Sequence, residues 1–191
     1  MPGNVTVHQN KFVGVVRRGL FAVLLSSYFG AAPAEPVSVF SEPQRVPSAR
    51  AASEKVRPFV AGSLAKIVAE RQGRPVVVTF WSATCVYCPQ ELKTLGEIRK
   101  AHPKLDVVIV AADTLEEAPL AAELATRYGL GKAEQWIFAG ETEERLRFEI
   151  DPRWHGELPR TYFYDREHRM EAVSGIVPRQ QLLAWVKANV R

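Results

Sequence analysis

Two runs, PVVVTFW (75–81) and LDVVIVAA (105–112), constrain the fold more than anything else in the chain. Both are almost unbroken apolar and rich in β-branched residues, without the alternation of a half-exposed strand. Strands of this kind are buried on both faces, which requires helices above and below a parallel sheet. The flanking segments supply them. Ser63 can cap a helix LAKIVAERQ that Gly73 ends, with Leu64, Ile67 and Val68 on one face. A second helix is expected from Cys85 to Ala101 with Leu92, Leu95 and Ile98 inward, and a third over 115–129, whose first turn can hold Pro119. A short strand at 134–139 and a helix at 141–150 follow. Strands at 160–165 and 170–175 join through a charged turn, and an amphipathic helix at 178–190 closes the chain. The order α-β-α-β-α-β-α-β-β-α gives a three-layer α/β fold around one sheet.

The amino terminus is organised differently. VVRRGLFAVLLSSYFGAAPAEP sets Arg17 and Arg18 ahead of an apolar run from Leu20 to Phe29 and then small residues, Ala32-Pro33-Ala34. This is the order of a secretory signal, with cleavage expected after Ala34. The uncharged run 19–34 is shorter than the roughly 20 residues of a spanning helix. Contact with a membrane is expected only if this segment stays as an uncleaved anchor. Residues 35–62, with Pro36, Pro43, Pro47 and Pro58, read as a Pro-rich linker and lead-in, leaving 63–191 as the folded domain. The formal charge of +4 belongs largely to residues 1–34, which hold Lys11, Arg17 and Arg18 and no acid. Taking those three from the 25 basic residues leaves 22 against 21 acidic ones, so no basic surface for nucleic acid is expected.

The two cysteines stand three positions apart in TFWSATCVYCPQEL. A disulfide between them closes almost no loop and is a weak staple. A metal site needs ligands beyond two thiols, and none of His8, His102, His155 and His168 has ligand spacing to the pair. Redox chemistry remains, because in an exported protein the pair can cycle between dithiol and disulfide. At the start of the expected helix, unpaired N–H groups and the helix dipole favour the Cys85 thiolate. Cys88, one turn on and facing inward, can resolve a mixed disulfide formed at Cys85.

FWSATCVYCPQEL, with ELPRTYFYD far downstream, resembles the thioredoxin superfamily, and within it the exported TlpA/ResA-like thiol–disulfide oxidoreductases of bacteria. The resemblance runs from about Phe59 to the carboxyl terminus. It implies a thioredoxin-like three-layer α/β/α sandwich with a central mixed sheet, Cys85 as nucleophile and Cys88 as resolving thiol. Pro159 takes the place of the cis-proline beside the disulfide, which sets the Leu158 backbone to pair with an extended substrate segment. Glu91 matches the acid these proteins carry six residues after the first Cys, a candidate for moving a proton to or from the resolving thiol. Thr79 stands where many thioredoxins bury an Asp. Trp81 is expected to pack beside the site, and Tyr87 and Trp154 to contact the partner. Val86 and Tyr87, uncharged between the cysteines, suit a reducing or middling potential. No metal is implied, and no cofactor beyond the Cys85–Cys88 disulfide itself. The implied partners are protein thiols or disulfides, such as apocytochrome c or copper-site assembly factors, and a membrane electron-supplying thiol reductase; the implied location is the periplasm.

Two other functions use the same thiols. A copper-binding assembly chaperone would add a His or Met ligand, and Met1 and Met170 are the only methionines. A thiol peroxidase of this superfamily carries Thr or Ser three residues before its reactive Cys, as Ser82 does, and Pro seven before it, where this chain has Val78.

Overall fold

The structure, a computed structural model, describes residues 55–191. The signal-like segment and most of the Pro-rich lead-in lie outside the described residues. In chain order the elements are β1 (Val56–Phe59), α1 (Ser63–Ala69), β2 (Val76–Trp81), α2 (Cys88–Ala101) and β3 (Asp106–Ala111). A 3-10 turn (Leu115–Glu117) then leads into α3 (Ala118–Arg127), β4 (Glu134–Phe138), α4 (Glu143–Ile150), β5 (Arg160–Tyr164), β6 (Met170–Ser174) and α5 (Arg179–Asn189). The strands form one sheet in the order β1-β4-β3-β2-β5-β6. β1, β4, β3 and β2 are mutually parallel, whereas β5 runs antiparallel to β2 and β6 antiparallel to β5. The expected α/β sandwich with a mixed central sheet holds.

All six residues of β2 are buried, as its composition demands. Because strand side chains alternate between faces, Val77 and Trp81 join Leu92, Leu95 and Ile98 of α2, Ala121 and Ala125 of α3, and Leu182 and Val186 of α5 in one core. Val76, Val78 and Phe80 face the other way, toward Ile67 of α1, Leu146 of α4 and an aromatic group that includes Phe59, Trp136 and Trp154. The approach of α2 to the end of α3 depends on a missing side chain. A Cβ on Gly96 would sit 1.9 Å from the Tyr128 carbonyl oxygen.

Three local readings need correction. Val56–Phe59, inside the expected lead-in, is a strand of the sheet, and its Phe59 is buried against Phe80 and Phe138. Pro58 obscured it, yet an edge strand accommodates proline. Ser63 is the first residue of α1 rather than its cap. Gly62 takes the cap position with φ 83°, and the Ser63 hydroxyl instead accepts the Val60 N–H at 2.9 Å. The second helix begins at Cys88, not Cys85. Pro89 explains the shift: with no N–H to give the carbonyl four residues back, and a ring that clashes with it, Pro89 forbids a helical bond to Cys85.

Candidate functional site

Strand pairing assembles the site at one end of the sheet. β2 and β3 are parallel and end side by side at Trp81 and Ala111, while antiparallel β5 begins with Arg160 opposite Phe80. The segment after β2, the segment after β3 and the residues before β5 therefore meet. The segment after β2 carries Cys85 and Cys88, joined in a disulfide with their Cα atoms 5.4 Å apart. Cys85 lies in the turn ahead of α2 and is half-buried; Cys88, the first residue of α2, is fully buried. The helix bears on Cys85 through a direct contact, since the Cys88 N–H, unpaired within the helix, points at the Cys85 sulfur at 3.1 Å. Val86 and Tyr87 between them are exposed, at 85% and 64%.

Glu91 lies in the first turn of α2 and is 1% exposed, so it is not a solvated helical carboxylate. It accepts the Val177 N–H at 2.9 Å and the Thr161 hydroxyl at 3.2 Å. Thr161 is itself 3.2 Å from the Thr79 hydroxyl, and both threonines are buried. With Thr161 donating to Glu91, Thr79 donates to Thr161, which gives a polar chain from the middle of β2 through β5 to the helix. Burial pushes the Glu91 carboxyl up to about 7, against the opposing pull of the Val177 and Thr161 donors. Desolvation wins because two donors replace only part of a carboxylate's hydration.

The Leu158–Pro159 peptide is cis. Pro159 is buried, and its carbonyl accepts the Gly175 N–H at 2.8 Å. Leu158 is half-buried and touches both cores. Behind it, the Arg160 guanidinium contacts Asp151 at 2.8 Å, Glu157 at 3.4 Å and the Ser174 hydroxyl, tying the approach to Pro159 to β6.

Trp81 is 2% exposed in the same core as Cys88, and its Nε1 has no hydrogen-bond partner among the described residues. Trp154 is placed differently from the expectation. It is 4% exposed, packs on Phe80 at 5.1 Å in the core of the opposite sheet face, and donates its Nε1–H to the Glu157 carbonyl. A partner has no access to that ring, which fills a core instead of lining a groove. His155 is exposed.

Sequence reasoning missed Thr161, Val177 and Asp113. A threonine inside a buried apolar strand was the available signal for Thr161, and nothing in the sequence marks the Val177 amide. Asp113, just beyond β3, is 8% exposed and accepts the Ser82 hydroxyl at 2.8 Å and the Ala83 N–H at 3.0 Å. Burial raises its carboxyl above the usual range while those donors pull it down. The Ser82 hydroxyl, the one feature the chain shares with the peroxidase pattern, is thus committed to Asp113. Among the described residues no group of three or more His, Cys, Asp or Glu side chains is close enough to hold a metal ion.

No family model and no curated protein sequence matches the chain. Solved structures do. MTB DsbF superposes with a TM-score of 0.51 at 22% identity, covering 62% of this chain and 83% of its own. A thiol:disulfide interchange protein of the thioredoxin family from Chlorobium tepidum TLS gives 0.51 at 16% identity, over 64% of this chain and 84% of that one. A DsbF homologue from Corynebacterium diphtheriae gives 0.51 at 20% identity, over 63% and 75%. The chain has the thioredoxin-like fold, with a Cys-x-x-Cys disulfide at the end of the sheet where β2, β3 and β5 converge.

Proposed function

We propose that the protein is an exported thiol–disulfide oxidoreductase that reduces protein disulfides through Cys85 and Cys88. The observation that carries this reading is the asymmetry of the pair: a half-buried sulfur facing a helical N–H, and a fully buried one whose helix brings in a buried carboxyl. In the dithiol state the Cys85 thiolate attacks a substrate disulfide, and one substrate sulfur leaves as thiolate. Glu91 takes the Cys88 proton. The Cys88 thiolate then attacks Cys85 Sγ, closing the Cys85–Cys88 disulfide and releasing the second substrate thiolate. Two electrons pass to the substrate, and the disulfide is the only redox centre the reaction needs. A carboxyl held at about 7 suits proton transfer in both directions near neutral pH. The exposed Val86 and Tyr87 and the half-buried Leu158 supply apolar contact for an extended segment beside the disulfide.

Export to the periplasm is supported by the Arg17-Arg18, apolar, Ala-x-Ala order of residues 17–34. An exported dithiol needs a renewed supply of electrons, for which a membrane thiol reductase is the partner. The thiol:disulfide interchange described for the Chlorobium tepidum protein is the chemistry assigned here.

The test combines trapping with a potential. Cys88→Ser is expected to accumulate a mixed disulfide at Cys85 with a protein substrate, and Cys85→Ser to accumulate none. A reduction potential near roughly −270 mV supports a reductant, and one near roughly −120 mV would replace this reading with that of an oxidant. Absence of any reversible disulfide would sink the redox reading altogether.

A further inference from the structure

The loop that presents Cys85 is held from beneath by a residue of another element. Parallel pairing of β2 with β3 continues past the strand ends, where the Ala112 N–H donates to the Trp81 carbonyl at 2.7 Å. This sets Asp113 directly under Ser82 and Ala83. Its Oδ1 accepts the Ser82 hydroxyl at 2.8 Å, and the Ala83 N–H lies 3.2 Å from Oδ1 and 3.0 Å from Oδ2. Having given its proton to Asp113, Ser82 Oγ is left with two acceptor sites. Thr84 fills both, its N–H at 3.1 Å and its hydroxyl at 2.9 Å. The Cys85 N–H closes the turn on the Ser82 carbonyl at 3.2 Å. The three consecutive amides of Ala83, Thr84 and Cys85 are thereby committed, two of them through Asp113 or the hydroxyl it orients. The Cys88 N–H is the donor this arrangement leaves aimed at Cys85 Sγ.

We propose that Asp113 is a positioning residue for disulfide exchange: acting through Ser82 and Ala83, it fixes the 82–85 loop so that Cys85 Sγ stays on the Cys88 N–H when the disulfide opens. In the disulfide the covalent bond enforces that contact. In the dithiol only the loop does, and there the contact matters, because a hydrogen bond to a charged sulfur favours the thiolate. This rests on Cys85 being the attacking thiol.

The test is the pH–rate profile for alkylation of Cys85 by iodoacetamide in the reduced protein, for the parent, Ser82→Ala and Asp113→Asn, with melting temperatures in both redox states. Ser82→Ala removes the hydroxyl link, and with it the acceptor of the Thr84 N–H, while leaving the Ala83 N–H on Asp113 and the Asp113 charge in place. Its alkylation at pH 6 is expected to slow about threefold or more, as part of a charge-assisted hydrogen bond is lost. Asp113→Asn is expected to slow it less, because removing a nearby negative charge favours the thiolate and opposes the loss. The proposal is overturned if Ser82→Ala leaves the profile in place, or if Asp113→Asn speeds alkylation. A purely structural role would lower both melting temperatures with the profile unmoved, which also overturns it. Should Asp113→Asn fail to fold, Ser82→Ala decides alone. If the redox reading itself fails, the parent will show no fast-alkylating thiol; if only the clamp fails, the parent will show one and the variants will match it.

Discussion

Glu91→Gln gives the sharpest physical test of the site, and it is best read as stability against pH. Burial lifts the Glu91 carboxyl from an ordinary value near 4.5 to about 7 in the folded chain. Between those values the folded state binds the Glu91 proton and the unfolded state does not, so stability falls as pH rises. The contribution of protonated Glu91 is present in full below about 4.5 and lost by the time pH has passed about 7. That interval corresponds to about 3 kcal/mol. Glutamine is nearly isosteric and can still accept the Val177 N–H, but it has no proton to lose. Urea unfolding of the disulfide form, in which the cysteines do not titrate, should be followed from pH 4 to pH 8 for both proteins. The glutamine variant should gain on the parent by about 3 kcal/mol across that range. Other carboxylates, Asp113 included, cancel in the difference. A difference that stays flat from pH 4 to pH 8 would refute the assignment of Glu91 as a carboxyl poised near neutrality.

Three further outcomes follow from packing and charge. Gly96→Ala forces a methyl group onto the Tyr128 carbonyl and should cost about 3 kcal/mol in urea unfolding, as overpacking against backbone does. Trp154→Ala should cost about 3–5 kcal/mol yet leave the rate of exchange with a small disulfide unchanged; a selective loss of exchange would return Trp154 to the partner surface. Arg71 is buried between Asp106 and Glu134, which are partly open to water, at 2.8 and 2.6 Å. Arg71→Ala should therefore cost about 2–3 kcal/mol at pH 7 and less as pH falls. Against the opposing effect of burial, the Arg71 hydrogen bond and charge hold the Glu134 carboxyl below its ordinary value, a contribution lost in acid.

What could be read from the sequence follows how local each signal is. β2 and β3 declared themselves through unbroken apolar runs, and the Cys-x-x-Cys spacing declared a pair, because both depend on neighbours in the chain. The start of α2 was misplaced by three residues, although Pro89 held the information: a proline four residues after Cys85 excludes that carbonyl from a helix. β1 is only four residues long and contains a proline, so its pairing with β4, about eighty residues away, left no local trace. Glu91 could be singled out by position but not its burial, which is set by Val177 and Thr161, 86 and 70 residues on. Asp113 was overlooked because a single acid after a strand looks like any loop residue until strand pairing brings it under Ser82.

The pairing of β1 with β4 also has a consequence in time. A chain made from its amino end completes Val56–Phe59 early, but the partner strand arrives only with Glu134–Phe138. Closing so long a loop is slow relative to forming the local hairpin of β5 and β6, so β1 is expected to dock late. Until it does, β4 is the rim of the sheet, with Trp136, Ile137 and Phe138 beside a row of unpaired backbone groups. The interval before β1 docks is when two copies of this chain are best able to misassemble, edge against edge, and any shortening into residues 56–59 would make that interval permanent.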